Sequence, residues 1–176
     1  PPHEFAIDIP KLMLRHRAKD FKNGKTSFKE KQIVEIDRNG KLGQKIRSIS
    51  NVIISLKNKP ARYIMEKTLN IDKNAKLPNF AKQFKENFPV NKNAPAYGKK
   101  AILFSTCYGN YHNTKIIYST YKVLRHNGIE VSLFYDGCCG MPQLEQGNLE
   151  RVAEQAKNIS KKLVNLIDKG MQIIAP

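Results

Sequence analysis

KKAILFSTC, residues 99–107, is a pair of lysines, four apolar residues and a short polar exit. A run of this length suits a buried β-strand. The residues that follow carry a different period. Asn113 opens a helix that runs through His126, with Ile117, Tyr121 and Leu124 on one side, and Asn127-Gly128 stops it. IEVSLFY, residues 129–135, is a second strand. NLERVAEQAKNISKKLVNLIDKG, residues 148–170, is a long helix capped by Asn148, with Val152, Ala156, Ile159, Leu163 and Leu166 facing inward and Gly170 ending it. MQIIA is a third strand. Strand, helix, strand, helix, strand at these lengths reads as parallel βαβαβ, the pattern of an α/β fold.

Upstream the signals are helical but less regular. Residues 1–46 contain an Ile-Pro break and then a short helical pattern at Leu12, Leu14 and Ala18. Two glycine-centred turns follow in FKNGKTSFKEKQIVEIDRNGKLG, with SFKEKQIVEI a helix capped by Ser27. From Ile46 to Leu69 apolar residues recur at Ile49, Ile53, Leu56, Ala61, Ile64, Met65 and Leu69, and Pro60 divides them into two helices. LPNFAKQFKENF predicts a third, with Asn79 as its cap and Phe80, Phe84 and Phe88 as a packing stripe. PVNKNAPAYGK, residues 89–99, has the composition of a linker. The expected architecture is a Rossmann-like parallel βαβαβ half-domain preceded by a mainly α-helical basic arm. Its expected units are 1–46, a helical linker over 47–98, and 99–176.

Charge divides along the same line. Residues 1–99 hold 22 Lys/Arg against 9 Asp/Glu, and residues 100–176 hold 9 against 6, so most of the net +16 lies in the arm. Such an arm can attract nucleic acid, anionic lipid or an acidic protein. Its lysines, however, are scattered among asparagines with no aromatic stacking ladder, as on a solvated surface. No stretch approaches the ~18–20 consecutive apolar residues of a membrane span, and there is no secretory signal pattern. Three cysteines, without a disulfide framework, point to a reducing, cytoplasmic location. The chain begins at Pro-Pro and stops after MQIIAP, and is expected to be an internal piece of a longer protein.

All three cysteines fall just beyond the expected strands. Cys107 closes the first, and FYDGCCGMPQ, residues 134–143, sets Cys138 and Cys139 side by side after the second. Ligands of open α/β sheets sit outside the carboxyl ends of strands. Adjacent residues make poor disulfide partners, because a trans peptide holds their Cα atoms ~3.8 Å apart, inside the comfortable range of disulfide geometry. A strained vicinal disulfide remains open; two thiolates aimed at one soft metal centre is the more natural use. Gly137 and Gly140 suit the tight bend this needs. A structural zinc site wants four ligands, and His112 is the nearest candidate to add to three thiols, although a histidine at a helix start is more often a surface or capping residue. Scattered cytoplasmic cysteines are otherwise commonly inert.

STCYGNYHNTKIIYSTYKVLRHNGIEVSLFYDGCCGMPQLEQGNLERVAEQAKNI resembles the cysteine-rich CCG domain of iron–sulfur oxidoreductases, which occurs in heterodisulfide reductase and in anaerobic glycerol-3-phosphate dehydrogenase. NKPARYIMEKTLNIDKNAKLPNFAKQFKENF is similar to the linker helices of the latter branch. PPHEFAIDIPKLMLRHRA is similar to the segment after its ferredoxin-like cysteines. On that resemblance, 99–176 is a first CCG domain truncated at its C-terminus, and 1–46 follows a missing ferredoxin-like domain. The resemblance implies that Cys107, Cys138 and Cys139 are ligands of an iron–sulfur cluster of the [4Fe-4S] kind, with the remaining ligands outside this sequence. Helix N-termini at 113 and 148 would stabilise the anionic cluster. It also implies electron relay between a flavoprotein dehydrogenase, or another redox subunit, and a quinone or disulfide acceptor. Contact with the inner face of the cell membrane is compatible with that role; nucleic acid is not among the expected partners.

Two other functions compete. One is a basic module binding nucleic acid or a membrane surface, which would show steep salt dependence and indifference to cysteine loss. The other is a nucleotide-binding half-domain with TCYGNYHNT as phosphate loop, for which Gly109 alone is too little. His3, His16 and His126 lack a paired carboxylate or nucleophile and read as surface residues. Asp136 reads as a turn former. Tyr108 and Tyr111 are as suited to ordinary packing as to covering a cluster. No acid–base catalysis is expected.

Overall fold

The computed structural model describes residues 8–176. Three strands, β1 (Lys100–Phe104), β2 (Glu130–Phe134) and β3 (Gln172–Ile174), form one parallel sheet in the order β2-β1-β3. The register pairs Ala101 with Val131 on one side and with Gln172 on the other. Helix α7 (Thr114–His126) connects β1 to β2, and α9 (Leu149–Ile167) connects β2 to β3. The expected βαβαβ unit is present, with the Asn148 side chain accepting from the Arg151 N–H at the start of α9. Leu103, Ile117, Tyr121 and Val131 are the centre of the core, which Phe84, Phe88, Leu124 and Ile174 extend. Two short helices that the sequence pattern does not suggest lie at the strand exits: α6 (Cys107–Tyr111) and α8 (Met141–Gln146).

The arm contributes α1 (Ile9–Lys22), α2 (Phe28–Ile33), α3 (Ile36–Lys45), α4 (Arg47–Ile54) and α5 (Lys59–Leu69). Helix α1 is longer than its short apolar pattern indicates. Ser27 does cap α2, through a reciprocal pair of bonds with Glu30. Pro60 stands in the first turn of α5, where its missing N–H costs nothing, and so separates α4 from α5 as expected. Among the described residues, no helix is long and apolar enough to cross a membrane.

Two readings of the arm need correction. Gly40 is not a turn: with Gly43 it is buried inside α3. A Cβ on Gly40 would lie 2.4 Å from the Tyr111 ring, and one on Gly43 would lie 2.2 Å from the Phe80 ring. These glycines are present for close approach rather than for chain reversal.

Residues 79–88, expected to be a third helix, are not helical, so the helical part of 47–98 ends at Leu69. They form an extended strap. Eight residues of helix advance ~12 Å, whereas the same eight extended reach ~26 Å, and the strap finds its partners in α3, α4 and α7. Phe80 lies over Gly43, Phe84 packs on Tyr121 at 5.3 Å, and the Phe88 carbonyl accepts from Arg125 Nε at 2.8 Å. Partners outside the strap replace the missing helical hydrogen bonds. Asn51 donates to the Phe80 carbonyl and accepts its N–H, at 3.0 and 2.8 Å, and Ala81 N–H donates to the Tyr111 carbonyl.

A thiol site at the carboxyl edge of the sheet

The sheet delivers its cysteines to one edge, although not quite as the pattern suggests. Cys107 lies past the end of β1, as the first residue of α6, where Thr106 caps the helix through Gly109 N–H at 3.1 Å. Cys138 and Cys139 occupy the loop between β2 and α8. Gly137 and Gly140 flank them with φ of +126° and +93°, values open to glycine and strained for other residues. The short helices α6 and α8 begin at the two cysteine-bearing segments, and Val152 in the first turns of α9 lies against Gly140 of the thiol loop.

All three cysteines are free thiols: Cys107 half-buried, Cys138 buried and Cys139 exposed. Cys107 and Cys138 lie close enough for each thiol to perturb the other's ionisation. Hydrogen bonding from Cys138 draws the Cys107 thiol down to about 7, with the Tyr108 backbone assisting; burial and the charges of Cys139 and Asp37 oppose it. The same hydrogen bond and burial push the Cys138 thiol well up.

Among the described residues, no three His, Cys, Asp or Glu side chains converge as a single ion would require. Four donors around one centre, the arrangement of a structural zinc site, are not assembled. The donor set is instead two facing thiols with a third on the next residue. Such soft ligands suit a cluster whose metal atoms are spread over several ångströms. His112 does not join them. Its Nδ1 is 3.2 Å from the Asn79 carbonyl and its ring packs on Phe80 at 5.0 Å, which places it in the strap interface. His16 pairs with Asp20 at 3.3 Å, His126 is exposed, and His3 lies outside the described residues. Asp136 pairs with Lys162 of α9. Tyr108 is half exposed beside His112, at 5.9 Å between rings.

The residue that sequence reasoning missed is Asp37, in the first turn of α3. Its Oδ2 accepts from the Cys138 backbone N–H at 2.8 Å, and its Oδ1 accepts from the hydroxyls of Tyr111, at 3.1 Å, and Tyr135. Those two rings meet edge-on at 5.6 Å. Burial, with the Asp37 carboxylate, raises the Tyr111 hydroxyl to about 12 and pushes Tyr135 higher. The loop is anchored a second time at Gln143, which is buried and donates to Glu35 at 3.2 Å. Arg17 of α1 holds Glu145 of α8 at 2.5 Å. A cavity of about 550 Å³, lined in part by Asp37, Gly137, Cys138, Arg151 and Gln155, opens beside the loop.

Residues 101–176 match the model of the CCG family, the cysteine-rich domain. The resemblance read from the segment around CCGMP is thereby found, and the match takes in all three thiols. Over 173 residues the chain is 25% identical to the C subunit of anaerobic glycerol-3-phosphate dehydrogenase from Escherichia coli (strain K12), with 96% of this chain and 43% of the relative aligned. The protein of the same name from Escherichia coli O157:H7 gives the same values. The chain thus spans less than half the length of these curated relatives. No solved structure matches it. The cysteine-rich domain begins at β1, so α1–α5 and the strap lie outside it, yet α3 supplies Asp37 to its thiol loop.

Proposed function

We propose that this chain is an iron–sulfur electron-transfer component of an oxidoreductase, with Cys107, Cys138 and Cys139 as thiolate ligands of one cluster. The observation that carries the reading is the joining of two strand exits at Asp37, which bonds the Cys138 N–H and the hydroxyl of Tyr111 at the end of the helix that Cys107 begins, with Cys139 on the residue after Cys138. Parallel strands with helical crossovers bring distant segments to one edge; here they bring sulfur. A cluster bound there supplies a one-electron centre whose potential follows its net charge, hydrogen bonding and solvent exposure.

The chain's own residues have definable parts in this. Cys107, Cys138 and Cys139 would hold the cluster through their sulfurs, which bind metal as thiolates. Gly137 and Gly140, with positive φ, bend the loop tightly on either side of the two cysteines. Burial of Cys138 keeps water from one side, while exposed Cys139 leaves an edge through which an electron can pass to a partner. A cluster of the [4Fe-4S] type takes four cysteine ligands, and this sequence contains three; another segment or another protein completes the set. Similarity to one component of a dehydrogenase supports a redox partner protein. A flavoprotein dehydrogenase as donor and a quinone or disulfide as acceptor belong to the same proposal.

The test is anaerobic purification of the full natural protein, with iron and acid-labile sulfide analysis and a visible spectrum before and after reduction. Stoichiometric iron and sulfide with an absorption that bleaches on reduction support the reading. Iron-free, colourless protein after anaerobic reconstitution contradicts it, and binding to nucleic acid or anionic vesicles that falls steeply with salt would then favour the basic-module alternative.

A further inference from the structure

We infer that Asp37, contributed by the arm, is a positioning residue of the thiol site, fixing the Cys138 backbone and placing a negative charge beside the facing thiols. Its three hydrogen-bond donors lie on the two segments that carry those thiols. Tyr111 ends α6, the helix that Cys107 begins; Tyr135 and Cys138 belong to the chain leaving β2. One carboxylate therefore sets the distance between the two cysteine-bearing segments. The backbone bond to Cys138 matters most, because it fixes the residue whose side chain faces Cys107.

Two glycines make this reach possible. Without a Cβ, Gly40 lets the Tyr111 ring lie on the α3 backbone, one turn from Asp37. Gly137, with φ of +126°, turns the loop where the carboxylate arrives, and a Cβ there would lie 3.3 Å from Asp37 Oδ2. The three direct donors are uncharged groups, so no hydrogen-bonded cation neutralises the carboxylate, and the basic residues nearest on the same cavity wall are Arg151, Lys161 and Lys162. A negative charge near a cluster favours the oxidised state and lowers the reduction potential. The arm is then part of the site rather than a tether to it. The electrostatic half of this inference rests on the cluster reading above; the positional half does not.

Asp37→Asn and Asp37→Ala separate the two halves. Asparagine keeps the shape: its oxygen can accept from the Cys138 N–H while its amide donates to the tyrosine hydroxyls, which rotate. In the metal-free full chain, oxidised glutathione takes two electrons as two thiols close into the Cys107–Cys138 disulfide and two glutathiones leave. Mass mapping of that disulfide over time should show Asp37→Asn closing no more slowly than the parent, since the bond to Cys138 is kept and a charge that opposes thiolate formation is removed. Asp37→Ala should be about tenfold slower, the factor carried by a lost hydrogen bond to a charged group. Equal rates in folded Asp37→Ala would overturn the positional claim. In the iron-loaded protein, Asp37→Asn should retain iron and shift the midpoint potential to more positive values, a change that a purely structural staple would not cause. An unshifted potential at equal iron content would overturn the electrostatic claim. Should Asp37→Ala fail to fold, Tyr135→Phe, which removes one donor and keeps the carboxylate, must slow disulfide closure, and a parental rate refutes the positional claim. Absence of iron in the parent would count against the cluster reading alone, and the disulfide rates would still judge Asp37.

Discussion

Replacing Gly40 by alanine tests how closely α3 is seated on the helix that carries Cys107. The added Cβ would lie 2.4 Å from Tyr111 Cδ2 and 2.6 Å from Cγ. Carbon contacts settle at ~3.5–4.0 Å, so the ring or the helix must retreat by about 1 Å. Tyr111 is 1% exposed and its hydroxyl is 3.1 Å from Asp37, which leaves little room to retreat while keeping that bond. Overpacking of this kind costs ~1–3 kcal/mol, and a lost hydrogen bond to a charged group costs a further ~1.5–3 kcal/mol. Alanine recovers about 1 kcal/mol of helix propensity. The net expectation is a loss of roughly 1.5–5 kcal/mol. Urea unfolding followed by circular dichroism measures it, with exposed Lys41→Ala on the same helix as a control expected to stay within about 0.5 kcal/mol. A Gly40→Ala protein as stable as the parent, or more stable, would refute the close seating, because propensity alone would then decide.

Three further outcomes follow from the geometry. Arg62 is 1% exposed and donates to the carbonyls of Lys73, Asp72 and Ala75 at 3.1, 2.8 and 2.7 Å, so Arg62→Ala should cost about 2–3 kcal/mol and speed amide exchange around residues 72–75; unchanged exchange there would argue against this staple. Serine at Cys107 or Cys138 should lower the iron content of anaerobically prepared protein, whereas His112→Ala should leave it unchanged, since His112 faces Asn79 and Phe80; iron loss on His112→Ala would show that the ligand set is misread. Tyr111 ionises near 10 when unfolded and near 12 when folded, so its contribution to stability is complete below pH 10 and is lost as pH rises toward 12. Melting temperature should fall across that window, and less steeply in Tyr111→Phe; an identical alkaline slope in the variant would contradict the burial of that hydroxyl.

The parallel sheet was legible because its signals are local: short apolar runs, a helix cap at Asn148 and a helix stop at Asn127-Gly128. The cysteines were legible because two of them are adjacent and flanked by glycines. The arm was harder for reasons that lie in the residues themselves. A glycine can mark either a reversal or a close contact, and only the Tyr111 and Phe80 rings, distant in sequence, show that Gly40 and Gly43 are contacts. Phenylalanines four residues apart share one face of a helix, but four is also an even number, so they share one face of an extended chain too. Nothing in the pattern at 80, 84 and 88 separates these cases; the strap wins because its partners span from α3 to the end of α7. Asp37 left no local trace, its donors lying 74, 98 and 101 residues away. Helices of five and six residues, such as α6 and α8, are too short to show a period.

The claim that Cys107 and Cys138 hold one cluster is tested most directly by electron paramagnetic resonance of the anaerobically reduced full-length protein, beside its Cys107→Ser and Cys138→Ser variants. The account predicts an iron–sulfur signal in the parent that each substitution changes in shape or abolishes. A parental signal that survives unchanged in both variants would place the iron elsewhere and contradict it.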